Sequence, residues 1–315
     1  MSVKEEILNL PKFEDNKVST RTYIARCNIK MDLLILFKKL PITEYVVKTK
    51  KRGRKKKIEE MNPNLHIKPG SIITLKYNID NKSVLRGVNI SKNNNKSFRN
   101  CMTIVIMCKD NKKINFKVCA NGTIQMTGCR EKEHAIEVLE YFWGYIKNIR
   151  NEIYDKSAII NSNTFKPLEF ILVPSMRNID FSLGFNVNRE SLSNIIRDMP
   201  EDDYRSMLEP SFGYTGGNIK FKLEDDIIFL VIDKITFLEN DKYNIEKITY
   251  NDYLNVLVEK ERIKKLEQER YNTFLVFHSG KIIMSGISEE LMETTYYKFL
   301  DIIRKYYKEI KETLD

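Results

Sequence analysis

The sequence predicts an α+β fold: a pseudo-two-fold duplicated unit with an antiparallel sheet backed by helices, enlarged by two insertions. Three observations lead there. First, INFKVCANGTIQMTG (114–128) lies over NTFLVFHSGKIIMSG (272–286) at a constant offset of 158, with identities at Phe116/Phe274, Val118/Val276, Gly122/Gly280, Ile124/Ile282, Met126/Met284 and Gly128/Gly286. Second, each segment is two alternating runs joined by Asn-Gly or Ser-Gly, dipeptides that supply the positive φ of a tight turn, so each is a β-hairpin. Third, a helix-period stripe follows each hairpin: Ala135, Leu139, Phe142, Trp143, Ile146 and Ile149, then Leu291, Thr295, Phe299, Ile302, Tyr306 and Ile310. Such a stripe needs a sheet to lie on.

In chain order, residues 1–15 form a tail and 16–150 the first repeat. Val18 to Ile29 reads as a strand and Met31 to Leu40 as a helix, with Asp32 near its start, where a carboxylate is favoured, and Pro41 closing it. An insertion over about 46–97 holds the run KTKKRGRKKK (48–57), eight basic residues and no acid, and the turn-rich Asn93-Asn94-Asn95. The first hairpin and long helix follow, and 151–175 is a linker. The second repeat, 176–311, opens with a strand over Asn178 to Val187 and a helix over Glu190 to Met199, closed by Pro200. An insertion over about 224–270 ends in EKERIKKLEQER; the second hairpin, the second long helix and a short tail, 312–315, complete the chain.

Composition narrows the function. The basic run carries most of the net charge of +10, so any electrostatic attraction to nucleic acid rests largely on one loop, which reads equally as a solvated insertion or as a phosphate-tracking tail centred on Arg52-Gly53-Arg54. The longest apolar run, Ile227 to Ile232, is too short to span a bilayer, and no basic-then-apolar signal opens the chain; the expectation is an intracellular protein with no membrane partner. Five cysteines, an odd number without a CxxC pair, predict reduced thiols. His66, His134 and His278 are scattered, and neither a metal nor a cofactor is expected. In the second hairpin Phe274, Val276, Ile282 and Met284 face one side and Leu275, Phe277, Ile283 and Ser285 the other. Both faces are apolar, so a further layer, a partner or a ligand must cover the one that the helices leave.

Beyond the hairpins, Val18-Ser19-Thr20 followed by Cys27 and KMDLLIL, Glu44-Tyr45, Arg177-Asn178-Ile179 and Glu209-Pro210-Ser211-Phe212-Gly213 occur in an order that resembles the TATA-box-binding protein family. The resemblance covers most of 16–150 and 176–311. It implies a saddle, with helices on the convex side and a curved sheet astride the DNA minor groove. It places the family's wedge phenylalanines, which pry base steps apart, on Phe98, Phe212 and Phe277, with Cys119 at the fourth position. The family's paired asparagines fall on Asn178 and Asn16, and its hydroxyls beside the hairpin glycines on Thr127 and Ser285. Leu275 and Ile283 keep the family's apolar groove-facing character, whereas Lys117, Gln125 and Asp180 depart from it.

The function so implied is non-enzymatic: a transcription initiation factor that binds AT-rich double-stranded DNA and nucleates RNA polymerase assembly, with a transcription factor IIB-like protein docking near Glu209 and Pro210. Four alanines among abundant Lys, Asn and Ile point to an AT-rich genome and a form resembling those of giant DNA viruses, hence a host nucleus or a cytoplasmic viral factory. Rival readings are a glycosylase- or ribonuclease-H-type module, for which Asp202-Asp203 and Asp225-Asp226 are the tight acidic pairs to consider, and a protein-binding scaffold that has lost DNA.

Overall fold

The computed structural model describes residues 10–47, 63–89, 100–161, 164–199, 204–207, 216–223 and 227–312. The chain divides into two compact units. The first comprises Thr22–Val173 and Ile232–Lys247; the second comprises Met1–Arg21, Pro174–Val231 and Ile248–Asp315. Each pairs an antiparallel sheet with helices, so the class is α+β, as expected.

In the first unit, strand β1 (Val18–Cys27) enters from the second unit and leads to helix α1 (Leu33–Lys39), whose N-cap Asp32 accepts from the main-chain N–H groups of Leu34 and Ile35. Strands β2 (Ile72–Ile79), β3 (Lys82–Gly87), β4 (Cys101–Met107), β5 (Lys113–Cys119) and β6 (Thr123–Cys129) follow, in the sheet order β1-β6-β5-β4-β2-β3. Helix α2 (Lys132–Ile146) lays Ala135, Leu139, Phe142, Trp143 and Ile146 into the core with Phe116, Ile124 and Met126. The expected first insertion is therefore partly sheet. β2 sits between β3 and β4 with Ile72, Ile73 and Leu75 buried, because its first half has apolar contacts on both faces.

Helix α3 (Arg150–Ile153) and strands β7 (Ile159–Asn161) and β8 (Thr164–Phe165) occupy the expected linker. Strand β9 (Leu168–Ser182) begins in the first unit and ends in the second. Its opening residues pair with β12 (Val231–Phe237), which pairs with β13 (Tyr243–Thr249), so most of this hairpin from the expected second insertion belongs to the first unit. Asp233 on β12 is only 3% exposed and meets Lys132 Nζ at 2.7 Å and Lys247 Nζ at 2.5 Å. Burial opposes the charge on Asp233, but the two ammonium groups outweigh it and hold the carboxyl below the usual range.

The second unit continues with α4 (Arg189–Arg197), capped by Asn188, then β10 (Tyr204–Met207) and β11 (Gly216–Lys222). Helices α5 (Tyr250–Asn255) and α6 (Glu259–Leu266) come next, then β14 (Tyr271–Phe277), β15 (Lys281–Gly286), α7 (Glu289–Lys305) and α8 (Tyr307–Ile310). The sheet order is β10-β11-β14-β15-β9. Phe274, Val276, Ile282 and Met284 join Met292, Tyr296, Phe299 and Leu300 of α7 in one core. Phe274 stacks on Phe299 with centroids 4.2 Å apart.

The two hairpins share one register. Phe116 pairs with Met126 and Val118 with Ile124; Phe274 pairs with Met284 and Val276 with Ile282. The turn glycines Gly122 and Gly280 adopt φ of 81° and 72°, and their carbonyls accept from Cys27 N–H at 2.8 Å and Leu183 N–H at 2.9 Å. Gly280 is also sterically required, since a Cβ there would stand 2.0 Å from the carbonyl oxygen of Phe185.

Candidate nucleic-acid interface

Opposed residues in an antiparallel pair point to the same face. In the second unit this builds two rows across the sheet on the side opposite the Phe274–Met284 core. One runs Asn218–Leu275–Ile283–Asp180, the other Lys220–Thr273–Ser285–Asn178. Leu275, Phe277 and Ile283 are half-buried, so among the described residues no packed layer seals them as a sandwich would. Phe277 stands opposite Gly216, where a Cβ would come within 2.5 Å of Leu275 Cδ1; the glycine leaves room for the apolar side chains beside it.

Polar groups on this face are incompletely satisfied. Among the described residues, the Oδ1 atoms of Asn178 and Asn218 are buried without a hydrogen-bond partner. Such a vacancy ordinarily costs about 1–3 kcal/mol. Asp180 is exposed and accepts from Ser19 Oγ at 3.3 Å; the same hydroxyl lies 3.4 Å from the main-chain oxygen of Asn178.

A cationic rim adjoins these rows, and sequence reasoning passed over it. Arg205 stands opposite Lys220, and Lys222 opposite Tyr271. Arg205 and Lys220 lie over the Tyr271 ring at 5.4 and 5.9 Å from its centroid. Glu269 accepts from Tyr271 Oη at 2.5 Å and meets Lys222 at 3.4 Å and Arg205 at 3.6 Å; the phenol first, then the cations, hold its carboxyl below the usual range. The sequence signal was the alternation Lys220-Phe221-Lys222, which puts two cations on one side of a strand.

The corresponding face of the first unit is different. Its row runs Lys76–Thr103–Lys117–Gln125, beside Thr74–Val105–Asn115–Thr127. Lys117 and Gln125 therefore occupy the cross-strand pair that Leu275 and Ile283 fill in the second unit. Thr127 Oγ1 donates to Asn115 O at 3.2 Å. Cys119 corrects the expectation of reduced thiols: it is disulfide-bonded to Cys101, because β4 and β5 set the two cysteines directly opposite each other. Cys27, Cys108 and Cys129 are buried and outside any disulfide.

Asn16 is also placed differently from the paired asparagine expected. It lies at the end of a 3-10 turn, Phe13–Asp15, where its Nδ2 donates to Lys12 O at 2.8 Å, Tyr296 Oη at 3.1 Å and Phe13 O at 3.2 Å. Counting back from the matching turn bonds at Cys27 and Leu183, the first-unit counterpart of Asn178 is Thr22, and that of Asp180 is Ile24. Arg52, Arg54, Phe98, Phe212, Glu209 and Pro210 lie outside the described residues, as do Asp202, Asp203, Asp225 and Asp226.

Comparison with known proteins bears on this arrangement. No protein-family model matches the chain. It is 28% identical over 254 residues to protein 335L of Invertebrate iridescent virus 6, covering 76% of this chain and 69% of that protein. Over 267 residues it is 24% identical to a TATA-box-binding protein-like protein of Acanthamoeba polyphaga mimivirus, covering 79% of this chain and 60% of the relative. Among solved structures, the TATA-box-binding protein of Methanococcus jannaschii aligns at 14% identity with a TM-score of 0.42, covering 94% of this chain and 99% of that one. The resemblance drawn from the sequence is matched by the mimivirus relative: the chain is similar to a TATA-box-binding protein-like protein of a giant virus, of whose length it spans 60%.

Proposed function

We propose that the chain is a non-enzymatic transcription initiation factor that binds AT-rich promoter DNA through the minor groove and nucleates polymerase assembly. The observation that carries this is the half-buried face of the second unit, which sets the amide of Asn178 beside the apolar pair Leu275 and Ile283. The minor groove of A·T pairs offers only acceptors, N3 of adenine and O2 of thymine, which suit an amide N–H donor. The apolar pair beside it suits the sugar and base edges of an opened groove, and Phe277 suits the gap of an unstacked step. Arg205, Lys220 and Lys222 suit flanking phosphates. Arg52 and Arg54 extend that electrostatic attraction independently of sequence, and Glu209 and Pro210 are the candidate contact for a transcription factor IIB-like protein. The relatives are viral, and a host nucleus or a viral factory fits such a role.

Titration of a fluorescent AT-rich duplex by anisotropy, repeated across salt, tests the reading. Asn178→Ala should weaken binding by about 1–3 kcal/mol, the usual loss for one base contact. Its melting temperature should change little, since no hydrogen bond from the Asn178 side chain to a described residue would be lost. Intact binding with a large loss of stability would overturn the assignment.

A further inference from the structure

Cys101 and Cys119 stand apart from the other three cysteines. They are half-buried and joined, whereas Cys27, Cys108 and Cys129 are buried and outside any disulfide. Burial pushes the Cys27 thiol up to about 12 and also raises Cys108, which keeps both out of thiolate chemistry. Only the Cys101–Cys119 pair is therefore exposed enough to exchange with a thiol in solution. At the hairpin offset Cys119 takes the place of Phe277, and Cys101 opposite it takes the place of Gly216. Where the second unit offers a phenylalanine over a glycine, the first has a covalent staple.

That staple ties down functional residues. Lys117 is two residues from Cys119 on the same strand face, and Gln125 pairs with Lys117. Beyond the sulfur bridge, the segment ends are held by Ala120 N–H donating to Asn100 O at 3.3 Å. A protein that works on DNA inside a cell meets a thiol-reducing medium, where a disulfide is usually transient, catalytic or redox-sensing.

We propose that Cys101–Cys119 is a thiol–disulfide exchange site, served by thiols and disulfides of the glutathione class, that sets how tightly the first unit's face holds DNA. The inference rests on the minor-groove reading above. In reduction, an external thiolate attacks one sulfur, the protein S–S bond breaks, and the other cysteine leaves as a thiolate that takes a proton. A second external thiol then resolves the mixed disulfide. One protein disulfide and two thiols thus become two protein thiols and one external disulfide, a two-electron exchange. Oxidised, the β4–β5 end is preorganised with Lys117 in place; reduced, it must be ordered on binding, which weakens the complex.

The test uses the full chain in buffers of graded glutathione to glutathione disulfide ratio. Alkylation and mass spectrometry follow the thiols, and anisotropy on an AT-rich duplex follows affinity. One reversible transition confined to Cys101 and Cys119 is expected, with affinity falling about two- to tenfold across it, the scale of ordering one side chain. Cys101→Ser combined with Cys119→Ser should bind at the reduced level at every ratio. A thiol transition with unchanged affinity overturns the inference and leaves the minor-groove reading standing, as does a pair that stays oxidised in every buffer. Absence of binding at every ratio overturns both.

Discussion

The two hairpins share a core face and differ on the other. Phe116, Val118, Ile124 and Met126 match Phe274, Val276, Ile282 and Met284 in register and are equally buried. On the opposite face Lys117–Gln125 replaces Leu275–Ile283, and a Cys101–Cys119 bridge replaces Gly216–Phe277. Close packing penalises any change of volume at the buried positions, so the core face has little freedom to vary. The other face is under no such constraint from the fold, so its chemistry is free to differ between the units. The second unit presents the apolar pair with the amide of Asn178 beside it, which on the proposed minor-groove reading would pry apart a base step. The first presents lysine, glutamine and threonine, which on the same reading would meet phosphates and sugar edges without deep insertion.

The strongest way to break this asymmetry is to exchange the two pairs. Phe277→Ala should remove most of the DNA bend, because unstacking costs a few kcal/mol per step and is offset only by a large side chain filling the gap. Cys101→Gly combined with Cys119→Phe copies the second-unit pair into the first and should increase the bend. The wild-type angle should lie below the roughly 80° typical of TATA-box-binding protein. Energy transfer between dyes at the duplex ends measures all three; equal kinks at both ends of the wild-type complex would refute the asymmetry.

A second difference is stability. Among the described residues, the first unit places Asp233 between Lys132 and Lys247, and Asp233→Asn should cost about 1.5–3 kcal/mol, the scale of hydrogen bonds to a charged group. The carboxyl is depressed in the folded state, so its contribution is complete above the unfolded value near 3.8 and is lost as pH falls through the folded one. Denaturation of wild type and variant at pH 7 and across the acid range should converge as pH drops. A difference that persists unchanged at the acid end would rule out this origin.

The smallest expected effect concerns salt. Lys117→Leu with Gln125→Ile gives the first unit the apolar pair of the second. If Lys117 meets a phosphate, the slope of log K against log salt should flatten by about 0.9. An unchanged slope would remove Lys117 from the phosphate contacts.

Much of this molecule is legible without coordinates. Period-two alternation around Asn-Gly and Ser-Gly determined both hairpins and which residues share a face, and period-3.6 stripes determined α2 and α7. These signals are local, set by backbone geometry within a few residues. They also put Leu275 with Ile283 and Lys117 with Gln125, so the contrast between the two faces was present in the sequence. What required the tertiary structure was pairing between distant segments. β2 and the β12–β13 hairpin read as insertion, because a strand's membership in a sheet depends on a neighbour supplied from elsewhere in the chain. Arg205 joins Lys220 at the rim only through the β10–β11 register. Asn16 looked like a groove amide, and only contact with Tyr296, 280 residues away, made it a turn cap. Cys101 and Cys119 are two of five unremarkable cysteines in one dimension; the β4–β5 register sets them face to face, and register is a property of two strands that neither carries alone.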